Sequence, residues 1–271
     1  MCINVLKKEQ SNNSLDIVYE DDDLLVINKP PGIAVHPSTE LRASPAEDSK
    51  KITLIDAILA HDVSIKKVGE DPLRPGIVHR IDADTSGILV VAKNQKTFLW
   101  LKKQFASREV EKQYLAIVKG RIKAPKGILK GQLGRVGGKF KLIEVEKLRP
   151  HEKVPEKTRD AETEFRVLKR FQEATLVLLS PKTGRTHQLR VQLSAFGYPI
   201  LGDKLYGSKE VASLAPRQML HAMRLTVSMP EDRRISFEAD PPEDFQEVLN
   251  NLIKEDEELK ISKNEEQISY E

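Results

Sequence analysis

The chain has 271 residues, 39% of them hydrophobic, which is enough for one large core or two smaller ones, and its single cysteine, Cys2, excludes an internal disulfide framework. No run approaches the roughly 18 consecutive apolar residues of a membrane span, and the N-terminus MCINVLKKEQ lacks the apolar stretch of a secretory leader, so a cytoplasmic protein is expected. The net charge of +3 conceals an acidic end: residues 254–271 hold seven acidic and three basic side chains, which leaves the rest of the chain basic and suited to a polyanionic partner.

In chain order, residues 1–15 read as a flexible N-terminus. Ile17 to Tyr19 and Leu24 to Asn28 read as strands around the acidic turn Glu20-Asp21-Asp22-Asp23, and Lys29-Pro30-Pro31-Gly32 stops the second. A short strand is expected over Ile33 to His36, a polar loop over 38–50, and a helix over Thr53 to His61. Gly87 to Ala92 is β-branched and apolar on both parities, the pattern of a strand buried on both faces. Asn94 then caps a helix whose stripe is Phe98, Leu101 and Phe105. Lys112 to Val118 reads as a strand largely buried on both faces, with Tyr114, Ala116 and Val118 on one of them.

Residues 119–160 are rich in Lys, Gly and Pro and show no apolar period, so a hairpin or loop insertion on the surface is expected there. Glu162 to Leu168 and Thr175 to Leu179 read as strands. Thr186 is the expected N-cap of a helix with the stripe Leu189, Leu193 and Phe196 and with Gly197 as its stop, on which Arg190 borders the core and extends its guanidinium toward a pocket. Residues 16–250 form one catalytic-size domain in this reading, and the acidic stretch 251–271 is a solvated, disordered tail with little to bury.

The segment HRIDADTSG concentrates chemistry on the loop that feeds a central strand: Arg80, Asp82, Asp84, Thr85 and Ser86 precede Gly87. Read alone, an aspartate among small polar residues is more often a turn residue accepting backbone amides than a catalyst. Tyr114 alone reads as a packed strand tyrosine. His79, His187 and His221 lack the close spacing of metal ligands, and the glycines at 134, 137 and 138 lack the strand-loop-helix setting of a phosphate loop. The residues imply neither a metal nor a nucleotide cofactor.

IVHRIDADTSGILVVAKN resembles the HRLDxxTSG signature of the RluA-type pseudouridine synthases, and four further segments match that family in order. LLVINKPPGIAVHP is similar to its first motif, REVEKQYLAIVKG to its Lys-x-Tyr segment, TGRTHQLRVQLSAFGYPILGDKLYG to its third motif, and RQMLHAMRL to its last core strand. The resemblance implies an α+β fold with a long, mixed, mainly antiparallel sheet flanked by helices and an active-site cleft across the sheet. It also implies an isomerase that converts uridine to pseudouridine in ribosomal or transfer RNA without cofactor or metal.

Site residues carry over from the resemblance one by one. Asp82 matches the catalytic carboxylate, which attacks the sugar C1′ or takes the 2′ proton once the glycosidic bond weakens. Burial alone pushes a carboxyl group toward its neutral form, and Arg190 matches the cation that the family places against it. Tyr114 matches the ring that stacks on the target uracil. Arg80 matches the residue that fills the space left by the flipped base, and Thr85, Arg185 and His187 are further expected RNA contacts. Asp82, Tyr114 and Arg190 are thus expected to meet in one cleft.

The chain departs from the family pattern at several positions. Ile81 stands where leucine is usual, and Gln192, read as an outward residue, stands where histidine is frequent. Residues 135–160 match poorly, since the family carries an Arg- and Lys-rich hairpin before a Gly-Lys-x-Ala segment whereas this chain reads RDAETEF, and strand pairing expected to begin near Ile17 leaves no room for a preceding RNA-binding domain. A monomer with an RNA partner and no membrane contact is expected. The competing readings are a non-catalytic RNA-binding or ribosome-assembly factor on the same fold, and a hydrolase pairing Asp82 with Asp84. The second is disfavoured because alternate loop residues seldom reach the ~5–9 Å carboxyl separation such pairs use.

Overall fold

The computed structural model describes residues 15–37, 52–143, 155, 157–229 and 233–268, with side chains described as far as 258. Cys2, the flexible N-terminus and the loop over 38–50 lie essentially outside these residues. The elements are β1 (Ile17–Glu20), β2 (Leu24–Lys29), α1 (Leu54–His61), a 3-10 turn (Val63–Lys67), β3 (Ser86–Ala92), α2 (Gln95–Ser107), β4 (Glu111–Lys119), β5 (Lys126–Val136) and β6 (Lys139–Leu142). There follow β7 (Thr158–Arg170), β8 (Ala174–Pro181), α3 (Gln188–Ala195), α4 (Lys209–Ser213), β9 (Leu220–Ser228), β10 (Arg234–Glu238) and α5 (Glu243–Ile268). They divide into two compact units, Met1–Gln113 with His221–Asp240, and Tyr114–Leu220 with Pro241–Glu271. Both are α+β, built on mostly antiparallel strands flanked by helices.

In the first unit β1 pairs with β2, β2 with β3 and β9 with β10, all antiparallel, while β3 and β9 run parallel, so the sheet is mixed. All seven residues of β3 are buried, as its unbroken apolar run predicts. One core, with Leu24, Val26, Ile88, Val90, Leu225 and Val227 from the strands, is closed by Phe98 and Leu101 of α2. Asn94 caps that helix by accepting the Thr97 N–H at 2.9 Å. The strand expected over 33–36 does not form. The carbonyls of Ala34 and Val35 instead accept the Leu54 and Ile55 N–H groups at 2.8 and 3.1 Å, bonding the first turn of α1.

In the second unit β8 lies between β4 and β7, and β5 lies between β7 and β6, all antiparallel. Of the hairpin or loop expected over 119–160, the described part forms the hairpin, β5 with β6, but not as a surface addition: β5 is an eleven-residue strand of the sheet that buries Leu129, Leu133 and Val136. Glycines at 127, 131 and 134 hide the period, since a Cβ there would meet Phe165, Leu142 or Pro155 at 2.4–2.7 Å. The acidic end is also helical, because α5 runs to Ile268. Phe245, fully buried, with Val248, Leu249, Leu252 and Ile253, packs on the unit's core, and the Glu- and Lys-rich sequence beyond has strong helix propensity.

Candidate active site

The signature segment forms a tight turn at the head of β3. The Thr85 N–H donates to the Asp82 carbonyl at 3.1 Å, and in this turn Asp82 is half-buried and Asp84 exposed. Lys29, fully buried at the end of β2, clamps this turn. Its ammonium donates to the carbonyls of Ala83 at 2.6 Å, Pro30 at 2.7 Å and Ile33 at 2.9 Å, and the Gly32 N–H reaches the Ala83 carbonyl at 3.0 Å. A buried ammonium needs acceptors in place of water, and here the turn itself and the segment that follows β2 supply them.

Past the turn, Ser86 and Gly87 fix the start of the strand. His221, fully buried on β9, donates from Nε2 to the Ala239 carbonyl at 2.9 Å, so its Nδ1 accepts the Ser86 hydroxyl at 3.0 Å. Gly87 has φ +113°, and a Cβ there would lie 2.2 Å from the Ala222 carbonyl oxygen, so only glycine allows this close approach. Before the turn, His79 accepts the Val90 N–H at 3.0 Å on Nε2 and stacks on Phe105 with ring centroids 4.7 Å apart. Burial, and then the charge of Lys112, push its pKa down to about 3, so the ring is neutral. Arg80 is exposed and donates to His36 Nε2 at 2.9 Å, and Thr85 is buried.

The other expected site residues belong to the second unit. Tyr114 is half-buried on β4, opposite Leu179 of β8, and packs against the core there. Arg190 is buried on α3, where its Nε and one terminal nitrogen donate to the two carboxylate oxygens of Asp203 at 2.7 and 2.9 Å. Its guanidinium lies over Tyr206, 5.2 Å from the ring centre. Burial works to raise the Asp203 pKa, but the bond and charge of Arg190 and the Tyr206 and Leu205 N–H groups hold it below the usual range.

The cap of α3 is His187 in the left-handed conformation (φ +54°), with its Nδ1 2.9 Å from the Tyr206 hydroxyl, rather than Thr186. The Arg185 N–H is instead bonded by Gln188 Oε1 at 3.1 Å, and Arg185 Nε donates to the Asp160 carbonyl at 3.2 Å. Phe196, expected in the buried stripe, is 43% exposed because α3 ends at Ala195. Gln192, read as outward, is fully buried. It accepts the Thr163 hydroxyl at 2.7 Å and donates to the carbonyls of Leu129 and Ala161 at 2.9 and 3.2 Å. The first unit thus brings Arg80, Asp82 and Thr85 onto one turn, and the second brings Arg185, His187 and Arg190 to the start of one helix. Lys29, Asp203 and Gln192 went unread as supports. Only Lys29 left a signal, a lysine ending an apolar strand directly before Pro-Pro-Gly.

A half-buried carboxylate on a lysine-clamped turn at the head of a buried strand is an arrangement suited to an enzyme that works through one fixed acid group. Comparison with known proteins gives that class its name. The family model for RNA pseudouridylate synthase matches residues 23–195. The ribosomal large subunit pseudouridine synthase D of Borreliella burgdorferi is 38% identical over 248 residues, 91% of this chain and 71% of that protein. An RNA pseudouridine synthase of Bacillus subtilis is 39% identical over 241 residues, 89% of this chain and 73% of the relative. Among solved structures, human RNA pseudouridylate synthase domain containing 1 aligns with a TM-score of 0.67 at 27% identity, covering 87% of each chain. The chain belongs to the RluA-type RNA pseudouridine synthases, isomerases that convert uridine to pseudouridine in RNA.

Proposed function

We propose that this enzyme modifies uridine in ribosomal RNA, with Asp82 as its catalytic carboxylate, and that it works as a cytoplasmic monomer. The target is supported by the relatives called ribosomal large subunit pseudouridine synthase D, and transfer RNA stem-loops are the second substrate class. The observation that carries the role of Asp82 is the turn itself, which bonds its backbone and holds a half-buried carboxylate at the head of a buried strand.

In the proposed reaction the N1–C1′ bond of the flipped uridine breaks as Asp82 either attacks C1′ or removes the 2′ proton. The uracil rotates and a C5–C1′ bond forms as the Asp82–C1′ ester bond breaks or, on the other route, as C2′ regains its proton from Asp82; the proton on C5 passes to a base and N1 ends protonated, so the carboxylate is regenerated and the product is an isomer of the substrate. Tyr114 is the ring that stacks on the uracil and the path for the C5 proton. Arg190 is the cation that keeps the carboxylate ionised. A guanidinium has five N–H donors, so its two bonds to Asp203 fix its plane and are compatible with a further acceptor. Arg80, Arg185 and His187 contact the RNA, while Thr85, expected beside them, is buried and holds the turn through its backbone bond to Asp82.

Pseudouridine mapping of ribosomal and transfer RNA from cells with and without this gene tests the reading. One or more ribosomal sites lost with the gene are expected. Loss confined to transfer RNA overturns the proposed target, and an unchanged map favours an RNA-binding assembly factor.

A further inference from the structure

The outer face of α2 is built unlike an ordinary solvated helix surface. Lys96, Leu99, Trp100 and Lys103 occur at i, i+3, i+4 and i+7 and all are exposed, with Leu99 51% and Trp100 39% accessible. The opposite stripe, Phe98 and Leu101, already fills the core, so packing does not call for these two apolar side chains. Residues 95–108 carry Lys96, Lys102, Lys103 and Arg108 and no acidic residue, and among the described residues only Lys102 of these four forms an ion pair, to Glu70 on the surface.

Trp100 is held in a defined pose. Its indole N–H donates to the Ser228 carbonyl at 2.8 Å, and Gln104 clasps the same residue through 2.8 Å bonds to its carbonyl and N–H. Because the one polar atom of the indole is satisfied inside the protein, what it offers to solvent is ring carbon. Lys96 and Lys103 lie one turn to either side of it, at the ~5–6 Å separation of helix neighbours. A fixed aromatic ring between two cations has the chemistry that binds single-stranded nucleic acid, with the ring taking a base and the ammonium groups the flanking phosphates.

We propose that this face of α2 is an RNA-docking surface, separate from the Asp82 turn, on which an unpaired base of the substrate RNA stacks on Trp100 while Lys96 and Lys103 engage its phosphates. The proposal rests on the reading of the chain as an enzyme acting on RNA, and it adds a place where the substrate is held outside the reacting uridine. Charge favours RNA over a second copy of the chain, because two such faces brought together oppose lysine to lysine.

The chain has one tryptophan, so its intrinsic fluorescence reports on this face alone. The experiment titrates the full-length protein with a twelve-nucleotide oligoadenylate and with a ribosomal RNA transcript, reading tryptophan emission and, in parallel, anisotropy of labelled RNA and pseudouridine formation in the transcript. Emission is expected to be quenched with the midpoint seen by anisotropy. Trp100→Ala should weaken oligoadenylate binding about tenfold, given ~1–3 kcal/mol per stacked base. Trp100→Phe should abolish the emission while keeping affinity within about threefold. The exposed pair Lys96→Glu with Lys103→Glu, which leaves the core untouched, should reduce the salt dependence by about 1.4 in log–log slope, ~0.7 per phosphate on single strands.

RNA binding and pseudouridine formation with emission unmoved and the lysine variant unaffected overturns the docking surface while the enzymatic reading stands. Self-association abolished by Trp100→Ala, with RNA affinity unchanged, overturns it in favour of a contact between copies. No pseudouridine from any transcript strikes at the enzymatic reading instead, and quenching that persists there upholds the docking surface.

Discussion

The turn that carries Asp82 and the helix that carries Arg190 both hold polar groups away from water, by opposite means. At the turn the constraint is backbone: carbonyls of residues 30, 33 and 83 converge on one ammonium, and a glycine with positive φ lets two strands close to contact. At the helix it is side chain on side chain. Gln188 joins Thr183 to Thr163, Gln192 joins Thr163 to the carbonyls of Leu129 and Ala161, and Arg190 joins Asp203. A backbone constraint leaves a local signature in the sequence, since few residues satisfy it. A side-chain network leaves none, because its members are ordinary polar letters at separations that run from 5 to 63 residues and follow no period.

The comparison is sharpened by changing each part. Gly87→Ala should have the largest effect, because the new Cβ meets the Ala222 carbonyl oxygen at 2.2 Å and the positive φ adds strain; a loss of about 3–5 kcal/mol is expected, or no soluble protein at all. Lys29→Met keeps the length of the stem but strips three carbonyls of their donor. Relief from burying an ammonium offsets part of this, and denaturant melts should show a net loss of about 3 kcal/mol, with pseudouridine formation reduced even where the protein is folded. Gln192→Leu fills the same space and breaks three bonds of the network, which costs about 2 kcal/mol and should leave turnover by the folded fraction nearly intact. A Gln192→Leu protein as stable as the wild type would mean that the buried network is dispensable and the contrast drawn here is empty.

The smallest effect is that of acid on the turn. His79 is neutral in the fold with its pKa pushed down to about 3, while in the unfolded chain it takes a proton near 6.5. The unfolded state therefore binds more protons below that value, and stability present above pH 6.5 is lost as the pH falls toward 3, at up to about 1.4 kcal/mol per unit from this one group. Between pH 6.5 and 5 that amounts to about 2 kcal/mol. His79→Asn should flatten this part of the stability profile, and an unchanged slope would remove His79 as its cause.

Legibility in the sequence follows the same division. The β3 strand, the Asn94 cap and the α2 stripe were readable because each is a local pattern of polarity or capping. The Asp82 turn was readable only through the collinear motifs, since its residues alone describe an ordinary turn. The length and burial of β5 were missed because glycines occupy the positions that face Phe165, Leu142 and Pro155, which erases the alternation that marks a strand. Gln192 was misplaced because helical periodicity sorts residues by polarity, and all six residues from Gln188 to Leu193 are buried whatever their polarity. The helical run of α5 past Ile253 was missed because composition reports what a segment can bury, not its helix propensity.

Of all measurements, single-turnover conversion of uridine in a ribosomal RNA transcript by the wild type and by Asp82→Asn bears most directly on the central claim. The asparagine keeps the size of the side chain and leaves the Thr85–Asp82 turn bond, which uses only the backbone, in place. The account predicts a variant that melts within about 1 kcal/mol of the wild type, as expected for a half-buried residue whose turn bond is retained, binds the transcript comparably, and forms no pseudouridine above background. Conversion by Asp82→Asn within tenfold of the wild-type rate would contradict it and move the catalytic role to another residue.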